Sequence, residues 1–206
     1  MTMNRIVWHH SAGPLRPTAT DRRHYHRLID GEGAVHDGDH PIEANAPGRR
    51  LQSGRYAAHT RNLNTGAIGL ALCAMRGASW SDPHACPDFP TEPQVEALFA
   101  ETARLCRAYG IEPTRQTVLS HAEVEITLGV KQAGKWDFDY DPFGSHPSRD
   151  PVAVGDDLRR RVSALMGEHR TAPAHDHSHP SIRRGATGEA VREVQTELRL
   201  VPDGIF

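Results

Sequence analysis

The chain is poor in the features that would assign it to several large classes. It has three cysteines in 206 residues (Cys73, Cys86, Cys106), an odd and widely spaced set. A disulfide framework of the kind that staples small secreted domains is therefore excluded. Charge of one sign is also missing. Lys and Arg number 24 against 26 Asp and Glu, a formal net charge of −2, which leaves no basic field to attract nucleic acid. No apolar run approaches the roughly 18 residues of a membrane-spanning helix. The opening MTMNRIVWHHSAG lacks the apolar core of a signal peptide. Aromatic residues make up only 6%, yet a hydrophobic share of 37% fits a packed domain rather than a disordered chain. The length suits one domain and a fraction of another. Histidine, by contrast, is abundant: there are 14, ten of them before residue 150. Chemistry is to be sought there.

Arg5-Ile6-Val7-Trp8-His9 reads as a short strand running into a polar turn, after which Pro14 and Pro17 keep the chain irregular. Thr18 to His26 suits a short surface helix. A hairpin follows, entering through His26 to Ile29, turning at Asp30-Gly31-Glu32-Gly33 and leaving through Ala34 to His36. Gly66 to Cys73 is wholly apolar or small, as in a strand covered on both faces. Glu92 to Tyr109 is the clearest helix. Thr91 and Gln94 have capping-box spacing and Gly110 stops it, while Val95, Leu98, Phe99, Thr102, Leu105 and Cys106 share one face. Thr117 to Ser120 is a further strand ending at His121, and Asp156 to Met166 a second, shorter helix. Residues 166–181, with Pro173, Pro180 and a run of histidines (His169, His175, His177, His179), form a solvated linker. Strands alternating with helices predict an α/β domain over residues 1–165, with a mixed central β-sheet flanked by helices.

Three polar residues at strand ends, His9, His121 and Asp137, have the chemistry of metal ligands. Two neutral imidazoles and a carboxylate suit Zn²⁺, with the fourth position left to water. Lys135 and Asp137 are two apart, and in an extended segment such residues point to the same side.

The strings WHHSAG, HYHRLIDGEGAVHDG, AAHTRNLNTGAIGLAL, VLSHAEV and GKWD occur in an order and spacing that resemble the zinc-dependent N-acetylmuramoyl-L-alanine amidases. That superfamily also holds phage lysozyme-like amidases and peptidoglycan recognition proteins, and the resemblance covers residues 5 to about 140. It implies one zinc ion held by His9, His121 and Asp137. Lys135 then stabilises the oxyanion, and Tyr25 holds the attacking water. Some relatives place a Glu on the apolar strand; here Ala71 stands near that position, so Tyr25 carries the role. The implied reaction is attack of a zinc-activated water on the amide between N-acetylmuramic acid and L-alanine of peptidoglycan. His59, Asn64 and Thr65 match a stretch near sugar and peptide. His10 either lines the groove or bonds locally. Glu123 either holds the tautomer of His121 or is exposed. His24, His26, His36 and His40 are read as surface or turn residues, and the cysteines as buried hydrophobes.

Ile182 to Val191, then Val194, Gln195 and Leu198, resemble the opening of a peptidoglycan-binding repeat. Asp203-Gly204-Ile205-Phe206 supplies its closing motif. About 25 residues cannot bury enough surface to close such a module, so residues 182–206 read as a truncated copy or as a helix docked on the catalytic domain. The implied partner is peptidoglycan or a muropeptide, with no nucleic acid and no membrane, and the protein is expected to be a monomer. It would be made in the cytoplasm and reach the wall after lysis, holin release or virion delivery, as a phage or prophage endolysin does. Two rival readings share the fold: a recognition module without catalysis, and an amidase of muropeptide recycling. An intact set of His9, His121, Asp137, Tyr25 and Lys135 favours the lytic enzyme.

Overall fold

The computed structural model describes residues 3–143 and 149–171, with only the backbone of 168–171. The expected linker beyond Thr171 and the expected repeat at 182–206 lie outside the described residues. The chain divides into two compact units at residues 169 and 170, and the first holds the sheet and its core.

Five strands make one sheet in the order β3-β2-β4-β1-β5: β1 (Arg5–His10), β2 (Arg27–Ile29), β3 (Val35–Asp37), β4 (Ala67–Leu72) and β5 (Val118–Ser120). β2, β4, β1 and β5 run parallel, and only the edge strand β3 is antiparallel. The mixed α/β sheet expected from the sequence is the observed one. The turn between β2 and β3 is organised by Asp30, whose Oδ1 accepts from the N–H of Glu32 and of Ala34. Gly33 there has φ +83°, a conformation that favours glycine.

The two faces of β1 divide the molecule. Trp8 points into the main core and donates its indole N–H to Thr102 Oγ1 at 2.9 Å. Thr102 lies on α2 (Glu92–Tyr109), whose Thr91–Gln94 capping box and left-handed Gly110 cap stand as expected. Val95, Leu98, Phe99, Leu105 and Cys106 are buried under it, each large side chain worth about 1.5–3 kcal/mol. On the other face, Val7 and Leu119 pack with Val124. Strand alternation puts His9 on that second face with Val7.

Two helices differ from expectation. α4 (Pro151–Thr171) begins five residues earlier than Asp156 and continues past Met166 into the stretch read as linker. The earlier start is capped by Asp150, whose Oδ1 accepts from the N–H of Val152 and of Ala153, and adds Val154 to the stripe that Leu158 and Val162 bury in the main core. α3 (His121–Leu128) was not expected at all; Ser120 and Glu123 form its capping box and Gly129 its left-handed cap. The first helix, α1 (Ala19–His24), carries a Thr18–Asp21 capping box. Among the described residues no helix is long and apolar enough to cross a membrane.

Candidate metal centre and cleft

Parallel pairing brings the candidate ligands together. Val7 lies opposite Leu119 and Trp8 opposite Ser120, so the next residues, His9 and His121, meet at the carboxyl edge of the sheet, where open α/β sheets hold their ligands. His121 is not the end of β5, as expected, but the first residue of α3. Asp137 lies in a turn rather than an extended segment, followed by Phe138 at φ +61°. Such a conformation costs a bulky residue about 1–3 kcal/mol. Complete burial of the Phe138 ring, 6.5 Å from Trp8 and 6.3 Å from Tyr140, offsets it.

The donor atoms converge. His9 Nδ1 and His121 Nδ1 are 3.0 Å apart, and Asp137 Oδ2 is 3.4 Å from His121 Nδ1. One ligand atom from each of the three buried residues falls within 4.8 Å of the other two. The hydrogen bonds behind them set the tautomers. Gln132 donates its amide N–H to the carbonyls of Arg61 (3.0 Å) and Val130 (3.1 Å), so its Oε1 faces His121 Nε2 at 2.9 Å and accepts. The proton of His121 then sits on Nε2, and Nδ1 presents a lone pair. The same reasoning runs through His59. Its Nε2 faces the Ala67 carbonyl at 3.3 Å and donates, so its Nδ1 accepts, and both the Thr60 hydroxyl at 2.8 Å and His9 Nε2 at 3.2 Å point donors at it. His9 Nδ1 is thereby also bare. Two imidazole lone pairs and a carboxylate aimed at one point, each imidazole oriented from behind, are a donor set that fits zinc.

Electrostatics agree. Burial, then the neighbouring His121 and His59, hold His9 well below its usual pKa, and burial with His26 does the same to His59. Burial alone would raise Asp137, but His10, His121 and His9 outweigh it and hold it ionised, well below the usual carboxylate range. Asp137 Oδ1 also accepts from the His10 N–H at 3.2 Å.

The remaining expected residues surround a cleft of about 890 Å³. Tyr25, Lys135, His10, His59 and Asn64 all line it. The Tyr25 ring lies 5.1 Å from that of His9, and its phenol is raised first by burial and then by Asp137, so it stays protonated. His10 is buried against Trp136 at 4.8 Å, and neither of its ring nitrogens has a hydrogen-bond partner among the described residues. Asn64 Oδ1 accepts from the N–H of His59 and of Thr60, holding their loop. Thr65 is exposed and does not line the cleft. Gly69 of β4 makes room for His59: a Cβ there would stand 2.5 Å from the ring. Ala71, beside His9 in register, supplies no carboxylate.

Two expectations are corrected. Glu123 does not orient His121; it is fully buried, accepts from the Ser120 N–H at 2.7 Å and pairs with Arg159 at 2.8 Å. His26 is not a surface residue: it is 2% exposed, and its Nδ1 accepts from the Gly69 N–H at 2.9 Å. Gln132 carries no signal in the sequence, because only the tertiary fold brings it to His121. α3 does carry one, the capping-box spacing of Ser120-x-x-Glu123, which a strand ending at His121 leaves unexplained. The three cysteines are buried and free.

Three buried donors that could hold a metal ion thus stand at the head of an α/β sheet, open to a cleft. The sequence profile of the N-acetylmuramoyl-L-alanine amidase family matches residues 1–138, and the chain belongs to that family. It is a hydrolase of the peptidoglycan amide. No curated protein matches the chain. Among solved structures it is similar to an N-acetylmuramoyl-L-alanine amidase from Clostridium intestinale, at 19% identity over 64% of this chain and 88% of that one, TM-score 0.39. It is also similar to an endolysin of a Thermus scotoductus bacteriophage, at 20% identity over 66% of this chain and 81% of that one, TM-score 0.39. A third is a complex of two peptidoglycan recognition protein ectodomains bound to tracheal cytotoxin, at 19% identity over 59% and 71%, TM-score 0.40.

Proposed function

We propose that the chain cleaves the amide joining the lactyl group of N-acetylmuramic acid to L-alanine, using one zinc ion held by His9, His121 and Asp137. The observation that supports this most is the convergence of three buried donors, within 4.8 Å of one another, with both imidazole protons already directed away from the point they share. Zinc bound there supplies Lewis acidity, bringing the ionisation of a water toward neutrality.

The chain's own residues do the rest. Water adds to the carbonyl carbon, negative charge gathers on the carbonyl oxygen, and the C–N bond breaks as the alanine nitrogen takes a proton. The Lys135 ammonium, exposed at the cleft wall, meets the charge on that oxygen; a donor in this role is typically worth a few kcal/mol. Tyr25, kept neutral, offers an O–H donor and an oxygen acceptor to the attacking water. Along the cleft, which His10, His59 and Asn64 line, the edges of the two imidazoles and the Asn64 side chain contact the substrate.

The catalytic unit in this reading is the region expected at residues 1–165, extended to the end of α4. The sequence beyond it is that of a linker followed by a stretch resembling a peptidoglycan-binding repeat. In this reading the chain acts on the cell wall, as an endolysin does. Digesting purified sacculi with and without a chelator, and identifying the new termini, tests the proposal. Free N-terminal alanine that appears only with metal present is the expected result. New reducing sugar ends, cleavage inside the stem peptide, or binding without cleavage would overturn it.

A further inference from the structure

Three large apolar side chains stand out as exposed among the described residues: Trp80 at 59%, Ile126 at 64% and Val35 at 44%. Two of them, Trp80 and Ile126, line one shallow hollow of about 400 Å³. Lys135 and Trp136 line both this hollow and the catalytic cleft, so the two lie side by side.

The exposed indole of Trp80 is held in place. Its Nε1–H donates to Asp139 Oδ2 at 2.7 Å. The Arg149 guanidinium sits 5.0 Å from the ring centroid, bonds Asp139 at 2.9 and 3.0 Å and donates to the Trp80 carbonyl at 2.8 Å. Leaving an indole in water forgoes its burial, and restraining it as well removes its freedom. A ligand meeting such a ring has little ordering left to impose.

We propose that this hollow is a saccharide subsite, in which a pyranose ring of the glycan strand packs on Trp80. The inference rests on the amidase reading. The carbonyl carbon of the scissile amide carries the peptide nitrogen on one side and the lactyl arm, hence the sugar, on the other. Lys135 faces the carbonyl oxygen, and the hollow opens beside Lys135. A pyranose has apolar C–H faces that suit an indole, and a polar rim that Lys135 and Asp139 can meet as donor and acceptor.

The test uses the full chain and the β-1,4-linked tetramer of N-acetylglucosamine, which has the glycan backbone but no lactyl group or peptide. Titration should shift the indole N–H resonance of Trp80. Trp80→Ala should weaken binding about tenfold, equivalent to ~1.4 kcal/mol, while Trp80→Phe should keep most of it. Turnover is compared on a disaccharide-peptide and on a sugar-free lactyl-peptide. The Trp80→Ala loss should be about tenfold greater on the first and should fall chiefly on KM. A loss equal on both substrates, an unmoved Trp80 resonance, or a resonance moved by the sugar-free peptide alone would overturn the subsite. If the wild type cleaves neither substrate, the amidase reading fails, and the tetramer titration still decides the hollow.

Discussion

His9, His121 and Asp137 differ from Tyr25 and Lys135 in what each loses on substitution. Removing a ligand leaves two protein donors, too few for a tight catalytic site. Asp137→Ala is therefore expected to lose both zinc and activity. Lys135→Ala and Tyr25→Phe should keep stoichiometric zinc and lose about 100-fold or more in kcat, since their contacts matter in the transition state. Bound metal and turnover measured on the same samples separate the two groups. Asp139 serves as the control: it is tied to Trp80 and Arg149, so Asp139→Ala should retain zinc. Gln132 supplies a subtler prediction. It is 4% exposed and fixes the His121 proton on Nε2 through a 2.9 Å bond. Gln132→Leu should weaken zinc binding about 10- to 100-fold, read by competition with a chromophoric chelator. An unchanged affinity would mean that His121 finds its tautomer without help.

Among the elements, α4 matters more than the family match suggests, because that match ends at residue 138. Arg159 of α4 donates to the Val118 carbonyl of β5 at 3.0 Å and pairs with Glu123 of α3 at 2.8 Å. Burial raises the Glu123 pKa, and Arg159 and Ser120 oppose that. Gly155 of α4 packs directly on the Glu123 carboxylate, and a Cβ there would collide with it. The helix that begins with His121 is thus capped by a carboxylate that needs a cation from α4. Breaking a buried pair leaves an uncompensated charge and costs about 3–5 kcal/mol. Arg159→Met should destabilise by that amount in urea unfolding, and the double variant Arg159→Met with Glu123→Gln should recover a large part. A single-variant cost under about 1 kcal/mol would sink the account.

For the molecule as a whole, the buried histidines predict an acid-labile fold. Burial, above all, lowers His26 from 6.5 to about 4, so the folded protein binds its proton later than the unfolded chain does. The stability this group contributes is complete above about pH 6.5 and is lost as pH falls toward 4. That amounts to about 3 kcal/mol over the whole interval. Urea midpoints measured from pH 7 to pH 4.5 in a chelator should fall, and His26→Gln should flatten the slope. The second whole-molecule prediction concerns truncation. A chain ending at Thr171 should cleave a small soluble muropeptide about as fast as the full chain. One ending at residue 138 should not fold, because it lacks Val154, Leu158, Arg159 and Val162, all buried. A large loss of turnover in the Thr171-terminated chain would give the tail a part in shaping the site.

The sequence by itself determined the elements whose cause is local. The 18-residue α2 follows from a capping box, a 3.6-residue stripe and a glycine stop. β1, β4, β5 and the β2–β3 hairpin follow from apolar runs and turn glycines. His9, His121 and Asp137 stand out there as donors that suit zinc, and the family resemblance assigns them as ligands. The convergence itself came from tertiary structure. Only the parallel register of β1 with β5 places His9 beside His121, only the turn at Phe138 returns Asp137 to them, and only the fold brings Gln132 and His59 behind the imidazoles. Propensity acts over a few residues, whereas these contacts join positions 11 to 127 apart along the chain. The start of α4 does carry a local signal, which a helix beginning at Asp156 leaves unexplained: Asp150 caps it, its Oδ1 accepting from the N–H of Val152 and of Ala153, and Pro151 follows as the first helical residue. The Trp80 shelf, by contrast, exists only where Asp139 and Arg149 close around one indole.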